Sequence, residues 1–257
     1  MDYKILTYKN KRYITVPKIE DLGLRHVFTT IDMDVGMKTN KSIEDIKNNI
    51  SLVYKLLEIR PEILYNGYQS HTKNIEIIKD TYQGKESPFG RYFPNTDGLI
   101  TDKKDIALIT RFADCTPILL YDHFKNVQAN IHSGWRGTLQ KIGANGIDLM
   151  KNEYNCDPKD ILVVLGPSIE KDDFEVDLDV KELFEDKFNY KDIIFKKENA
   201  KFLIDLKTIN KRTLIEKGIK EENIIDINLS TFSNSALLHS YRRDKEKYGL
   251  MGLITCL

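Results

Sequence analysis

Residues 106–138, IALITRFADCTPILLYDHFKNVQANIHSGWRGT, decide the architecture. Three runs rich in aliphatic residues, 106–112, 117–121 and 127–132, are separated by the short polar stretches ADC and DHFKN. Runs of this length bounded by turn residues read as buried strands. Each carries its chemistry at an end: Arg111 with Asp114 and Cys115, then Tyr121 and Asp122, then His132. Strand ends are where sites are commonly built. The glycine-bracketed loop SGWRGT then leads into a helical pattern predicted over 137–151.

Outward from this centre, further strands are predicted at 3–8, 11–16, 26–30, 63–67, 74–79, 161–165, 201–205, 224–229 and 249–255. Helices are predicted at 42–58, 178–187 and 206–217. In the first helix Ser42 and Asp45 have capping-box spacing, and Ile46, Ile50, Val53, Leu56 and Leu57 form an apolar stripe. Many strands interrupted by a few long helices imply an α+β fold, a mixed α/β sheet sandwich. With no repeat, low-complexity segment or linker, residues 1–257 are expected to form a single domain.

Composition narrows the function classes. Hydrophobic residues make up 41% and charged residues 30%, ordinary globular values, and no apolar run approaches the ~18 residues of a membrane span. The N-terminal residues mix charge with apolar side chains and build no signal-peptide core, so a cytoplasmic protein is expected. Three cysteines at 115, 156 and 256 make no disulfide framework. Basic and acidic residues balance at 39 each, which predicts neither nucleic acid nor a membrane surface as partner.

Among the five histidines, His71 follows a short strand and His132 closes one. Together with Cys115 they admit several readings. Free cysteine is among the most buried residue types, and a histidine at a strand end is often a hydrogen-bonded core residue. A cysteine–histidine dyad would make Cys115 a nucleophile. One cysteine and two histidines would instead make a three-ligand zinc site with an open fourth position. A copper cluster of the laccase type fits poorly, because five histidines without a His-X-His pair are too few. In SGWRGT the backbone of Ser133 and Gly134, the start of a helix and the Arg136 fork are suited to an anion. Trp135 could stack on a flat ring or pack against the helix. Near the C-terminal end Arg242 and Arg243 stand together beside a tyrosine, the residue type that grips phosphate or carboxylate bidentately.

The motifs QSH (69–71), DGLIT (97–101), ADCTPILLYD (113–122), HSGWRGT (132–138), LGPSI (165–169), FEV (174–176) and SYRRD (240–244) resemble those of the YfiH-like, laccase-domain family, in the same order and over most of the chain. The resemblance implies a fold related to cysteine-hydrolase-like toxin domains and one zinc per chain, held by His71, Cys115 and His132, with copper disfavoured. It implies purine nucleoside chemistry: phosphorolysis of adenosine, inosine, guanosine and methylthioadenosine, and deamination of adenosine. Some members carry a peptidoglycan-editing label instead. Asp114, Cys115 and Arg136 are then the expected catalytic residues, and Gln69, Ser133, Gly134, Arg242 and Arg243 the expected substrate and phosphate residues, in a monomer or weak homodimer. The cytidine-deaminase signature is absent, so Asp114 is the nearest proton carrier in sequence, or else orients a ligand. Two segments depart from the family pattern: FTTIDMDVGMKT at 28–39 lacks an arginine and paired glycines, and Ser230–Thr231 and Gly249–Leu250 stand where members often have Cys-Thr and Gly-Arg.

Overall fold

The central runs are strands of two different sheets, with ADC as the crossing between them. The computed structural model describes residues 2–37, 39, 41–198 and 200–257; Lys38 of the 28–39 segment lies outside them. Among the described residues one sheet has the order β1 (Lys4–Tyr8), β2 (Lys11–Thr15), β3 (Arg25–Thr29), β17 (Met251–Cys256), β9 (Ile106–Phe112), β4 (Ile63–Gly67), β7 (Gly90–Phe93) and β6 (Lys85–Ser87). The second has the order β16 (Ile224–Asp226), β12 (Leu162–Leu165), β10 (Thr116–Asp122), β11 (Val127–Ser133), β8 (Gly98–Thr101) and β5 (Ile75–Ile78). A small third sheet joins β13 (Glu175–Val176), β15 (Phe202–Ile204) and β14 (Ile194–Lys196). Parallel pairs (β4 with β7 and β9, β5 with β8, β12 with β16) mix with antiparallel ones, so the sandwich is mixed as expected.

Side-chain alternation sets the layers. On β11, Val127, Ala129 and Ile131 join Ile118, Leu120, Val163 and Leu165 in a core closed by helices α4 (Ile142–Tyr154) and α6 (Leu206–Glu216). The opposite face of β10 and β12, through Leu119, Tyr121 and Val164, meets Phe28, Phe112 and Leu253 of the first sheet. Helix α2 (Ile43–Leu57) covers the far side of that sheet with Ile46, Ile50, Val53 and Leu57. The order is helix, sheet, sheet, helices. Gln128 and Asn130 place amides between the sheets, where they donate to the carbonyls of Ile106, Leu108 and Leu253. Their paired N–H groups make this burial tolerable, and Asn130 also accepts the Thr255 hydroxyl.

Three differences from the sequence reading stand out, beside one agreement. The helix predicted over 137–151 is two helices, α3 (Trp135–Leu139) and α4, broken at Lys141, whose φ of 55° is left-handed. Strands β6, β7, β8, β13 and β14 and the short helix α1 (Pro17–Asp21) were not predicted. The strand predicted over 224–229 stops at Asp226. Helix α5 (Leu178–Lys187) matches its predicted bounds and packs Phe184 into an aromatic cluster with Phe174 and Phe188 beside the third sheet.

Candidate functional site

The β10–β11 hairpin explains why Cys115 and His132 meet although the chain separates them. Pro117 pairs with His132 and Thr116 with Ser133, so the residue just before β10 lies beside the end of β11. Asp114, at φ 84°, makes the sharp turn from β9 that delivers Cys115 to this end. His71 arrives from the segment after β4, the parallel neighbour of β9, and is itself left-handed at φ 62°. The ligand atoms of His71, Cys115 and His132 lie within 4.8 Å of one another. The two imidazoles stand edge to face with centroids 5.1 Å apart.

Asp97, in the DGLIT motif, organises this group. Its Oδ1 receives the His71 N–H at 3.1 Å and lies 2.9 Å from His132 Nδ1, while Oδ2 receives the Thr72 N–H at 2.7 Å and the Thr72 hydroxyl at 2.8 Å. One carboxylate thereby sets both the His71 backbone and the His132 ring. Engaging Nδ1 of His132 leaves Nε2 to face the site, the usual arrangement behind a metal-bound histidine. Burial pushes the Asp97 carboxyl up, but the bond to and charge of His132, with the Thr72 contacts, outweigh it and hold it at about 2. Nothing local in DGLIT gives Asp97 this role; an aspartate opening a strand is the one signal the sequence offers.

The electrostatics favour a thiolate. Burial alone would raise Cys115; the charge and hydrogen bonding of His132, with neighbouring His71, overcome it and bring the thiol down to about 6. For His132, burial opposes the positive form, but the Cys115 charge and the Asp97 bond push it well up. The residues fit a metal ion on structural grounds. His71 Nδ1 is buried without a hydrogen-bond partner, and the donor set is one soft and two borderline atoms. Gly134 leaves the space: a Cβ there would stand 2.4 Å from His71 Nδ1 and 3.0 Å from Cys115 Sγ.

A cleft of about 800 Å³ opens beside this group, with Tyr68, Trp135, Phe174, Tyr241 and Tyr248 in its walls. Of the other residues singled out from the sequence, Arg136 lines the cleft with its guanidinium 4.1 Å from the Trp135 ring centroid. Arg242 also lines it, donating to the Glu175 carbonyl and lying over Phe174. Arg243 is turned into the structure, onto Asp244 and the carbonyls of Thr231, Phe232 and Leu238. Asp114 accepts the Thr231 hydroxyl on Oδ1 and the Arg242 N–H on Oδ2. Gln69 clamps the end of β9, giving its amide to the Arg111 carbonyl at 2.7 Å and receiving the Arg111 N–H at 2.8 Å. Ser133 is buried, donating to Asn210 of α6.

With this geometry in place, the likeness to known proteins is specific. The family model described as "Multi-copper polyphenol oxidoreductase laccase" matches residues 26–257. The chain belongs to this family. Within the laccase-like, YfiH family, a purine nucleoside phosphorylase of Clostridium acetobutylicum is 37% identical over 220 residues, 84% of this chain and 85% of its own. The purine nucleoside phosphorylase YlmD of Bacillus subtilis is 27% identical over 221 residues, 85% of this chain and 80% of its own. Among solved structures, YfiH of Bacillus licheniformis superposes with a TM-score of 0.87 at 24% identity, covering 97% of this chain and 100% of that one. YlmD of Geobacillus stearothermophilus gives 0.86 at 22% identity, with 98% of each chain covered. These likenesses carry the fold. No helix among the described residues is long and apolar enough to cross a membrane.

Proposed function

We propose that this cleft performs phosphorolysis of purine nucleosides, adenosine, inosine, guanosine and methylthioadenosine, and deaminates adenosine, with one zinc held by His71, Cys115 and His132. The observation that carries this reading is the convergence of those three side chains at an aromatic-walled cleft, in a chain whose relatives bear the name purine nucleoside phosphorylase. A single ion suits it better than a copper cluster, because among the described residues these three are the one group of at least three possible ligands so placed. Zinc held there would supply Lewis acidity for negative charge developing on a substrate atom.

The chain's own residues do the rest. Trp135, Phe174, Tyr241 and Tyr248 offer faces for a purine, since aromatic walls bind flat rings without needing a particular base. In phosphorolysis a phosphate oxygen bonds to C1′ of the ribose, the C1′–N9 bond breaks, and its electron pair leaves with the purine, which takes a proton. In deamination a water oxygen bonds to C6 and the C6–N bond breaks, releasing ammonia. Asp97 keeps the His132 ring in one orientation throughout, and Asp114 holds the Arg242 backbone and the turn carrying Cys115. Arg136, exposed at the rim, places positive charge where an anion enters.

The test incubates purified protein with adenosine and phosphate and resolves adenine, inosine and hypoxanthine. Cys115→Ser is expected to lose both metal and activity, because a serine hydroxyl is a far poorer zinc ligand than a thiolate. A second reading, a cysteine–histidine amide hydrolase, is favoured by the partly accessible Cys115 and its lowered thiol. Full metal content in Cys115→Ser, with covalent trapping of Cys115 in the parent, would select that reading instead.

A further inference from the structure

Arg111, a strand-end residue of the opening stretch, has no role in the reading above. It is 4% exposed, at the end of β9, and lines the same cleft. Among the described residues its guanidinium meets no carboxylate. Nε donates to the Val35 carbonyl at 2.7 Å, Nη1 lies 3.3 Å from Asn66 Oδ1, and Nη2 is buried with no hydrogen-bond partner. The Phe89 ring centroid is 5.9 Å from its Cζ.

Both neutral acceptors are themselves held. Asn66 gives its amide to the Arg91 carbonyl, which leaves Oδ1 for Arg111, and Val35 is tied through its N–H to Leu250. The nearest acidic residue in sequence to Val35, Asp34, is committed to the amides of Gly36 and Leu250 and to His239. Gln69 fixes the Arg111 backbone from the other side. The result is a rigid cation, taken out of water and left uncompensated. Burial lowers it to about 10, so it stays charged at neutral pH. A buried charge without a partner is strongly disfavoured unless something pairs with it. Since no carboxylate among the described residues pairs with the guanidinium and Arg111 lines a cleft, the partner comes with the ligand.

We propose that Arg111 anchors a subsite for a phosphate-class oxyanion in this cleft, taken either from orthophosphate as co-substrate or from the phosphoryl group of a nucleotide. With Nε and Nη1 held by Val35 and Asn66, the unpaired Nη2, which carries two N–H bonds, is the donor that would engage such a group. This rests on the nucleoside reading above for the identity of the co-substrate, while the binding itself is testable without it.

The experiment measures thermal unfolding of the metal-loaded protein with orthophosphate, with adenosine 5′-monophosphate, and with chloride at matched ionic strength. A ligand bound only by the folded state raises the midpoint. In Arg111→Met the rise given by one or both phosphate compounds is expected to vanish, with apparent affinity down by roughly ten- to hundredfold. In chloride the same variant is expected to be no less stable than the parent, because it removes an unpaired buried charge. A merely structural arginine would do the opposite: a lower midpoint in chloride and an unchanged phosphate response, and that result overturns the proposal. Should Arg111→Met not accumulate, Arg111→Lys keeps the charge but loses the Nη2 donor that Val35 and Asn66 hold in place, and at least a severalfold loss of phosphate affinity is expected; an unchanged affinity overturns it equally. Dependence on Arg111 for orthophosphate alone identifies the co-substrate, and for the nucleotide alone its phosphoryl group. Product analysis of the parent judges the nucleoside reading separately: phosphorolysis with an unaltered phosphate KM in the variants refutes the Arg111 subsite only.

Discussion

At Gly134 a single hydrogen atom keeps the site open. A methyl there would meet the His71 ring and the Cys115 sulfur well inside contact distance, and neither can retreat, because His71 is fixed by Asp97 through its backbone and Cys115 by the turn at Asp114. Gly134→Ala is therefore expected to displace the His71 ring and cut metal content at least tenfold while leaving the far-ultraviolet circular dichroism of the parent; full metal loading would show that the site has slack. Asp97→Asn tests the clamp from behind. It keeps the size of the side chain but removes the charge that accepts from His132, Thr72 and the His71 amide. Metal affinity is expected to fall about 10–100-fold, the usual cost of removing such a supporting carboxylate, read by competition with a chelator. The three candidate ligands were legible because cysteine and histidine at strand ends announce themselves. Asp97 was not, since its role depends on contacts with residues 25 and more positions away.

Helix α2 and the α3–α4 pair behave oppositely with respect to sequence. In α2 the Ser42 hydroxyl accepts from the Asp45 N–H at 3.1 Å and Asp45 accepts from the Ser42 N–H at 3.2 Å, the capping box expected from spacing alone. Its buried face is the predicted stripe, with Leu56 partly buried at the edge. Ser42→Ala is expected to cost about 1 kcal/mol, measured by urea unfolding. The break at Lys141 had no such signal: no proline interrupts 137–151, and the apolar pattern runs on. Packing imposes it. Gly137 sits against the carbonyls of His132 and Thr72, over the site, whereas Gly146 lies against Ile131 and Leu120 of the sheet, and the chain must turn between these two supports. The strands missed within 85–93 are short and exposed or only partly buried, so their local pattern is weak, and pairing makes them strands: β7 with β4, and β6 with β7.

For the molecule as a whole, His26 couples stability to acid. Its Nε2 accepts the Val16 N–H at 3.0 Å and Nδ1 lies 3.2 Å from the Leu24 carbonyl, so the buried ring is neutral. Burial, partly opposed by the Leu24 bond and the Glu20 charge, lowers it to about 4. The unfolded chain takes up this proton near pH 6.5, whereas the folded one resists until about 4. Stability that is full above pH 6.5 is thus lost as the pH falls through that window, by roughly 3 kcal/mol at its lower end. Urea unfolding at pH 7.5 and 4.5 checks this: His26→Gln is expected to show a smaller drop between the two than the parent, and equal drops would rule it out.

The sequence by itself determined which segments are strands in the centre, which face of α2 is buried, and which three side chains could bind a metal. These follow from residue type and local period, which the chain carries wherever it goes. Only the tertiary structure decided that β9 and β10, joined by three residues, belong to different sheets, that Gln69 is spent on the Arg111 backbone and Asp114 on the Thr231 hydroxyl and the Arg242 N–H, and that Arg243 turns inward while Nη2 of Arg111 is left without a partner. The reason is physical. Whether a polar side chain is satisfied depends on neighbours brought from distant parts of the chain, and Val35, Asn66 and Phe89 reach Arg111 only when three strands and the segment over them are assembled.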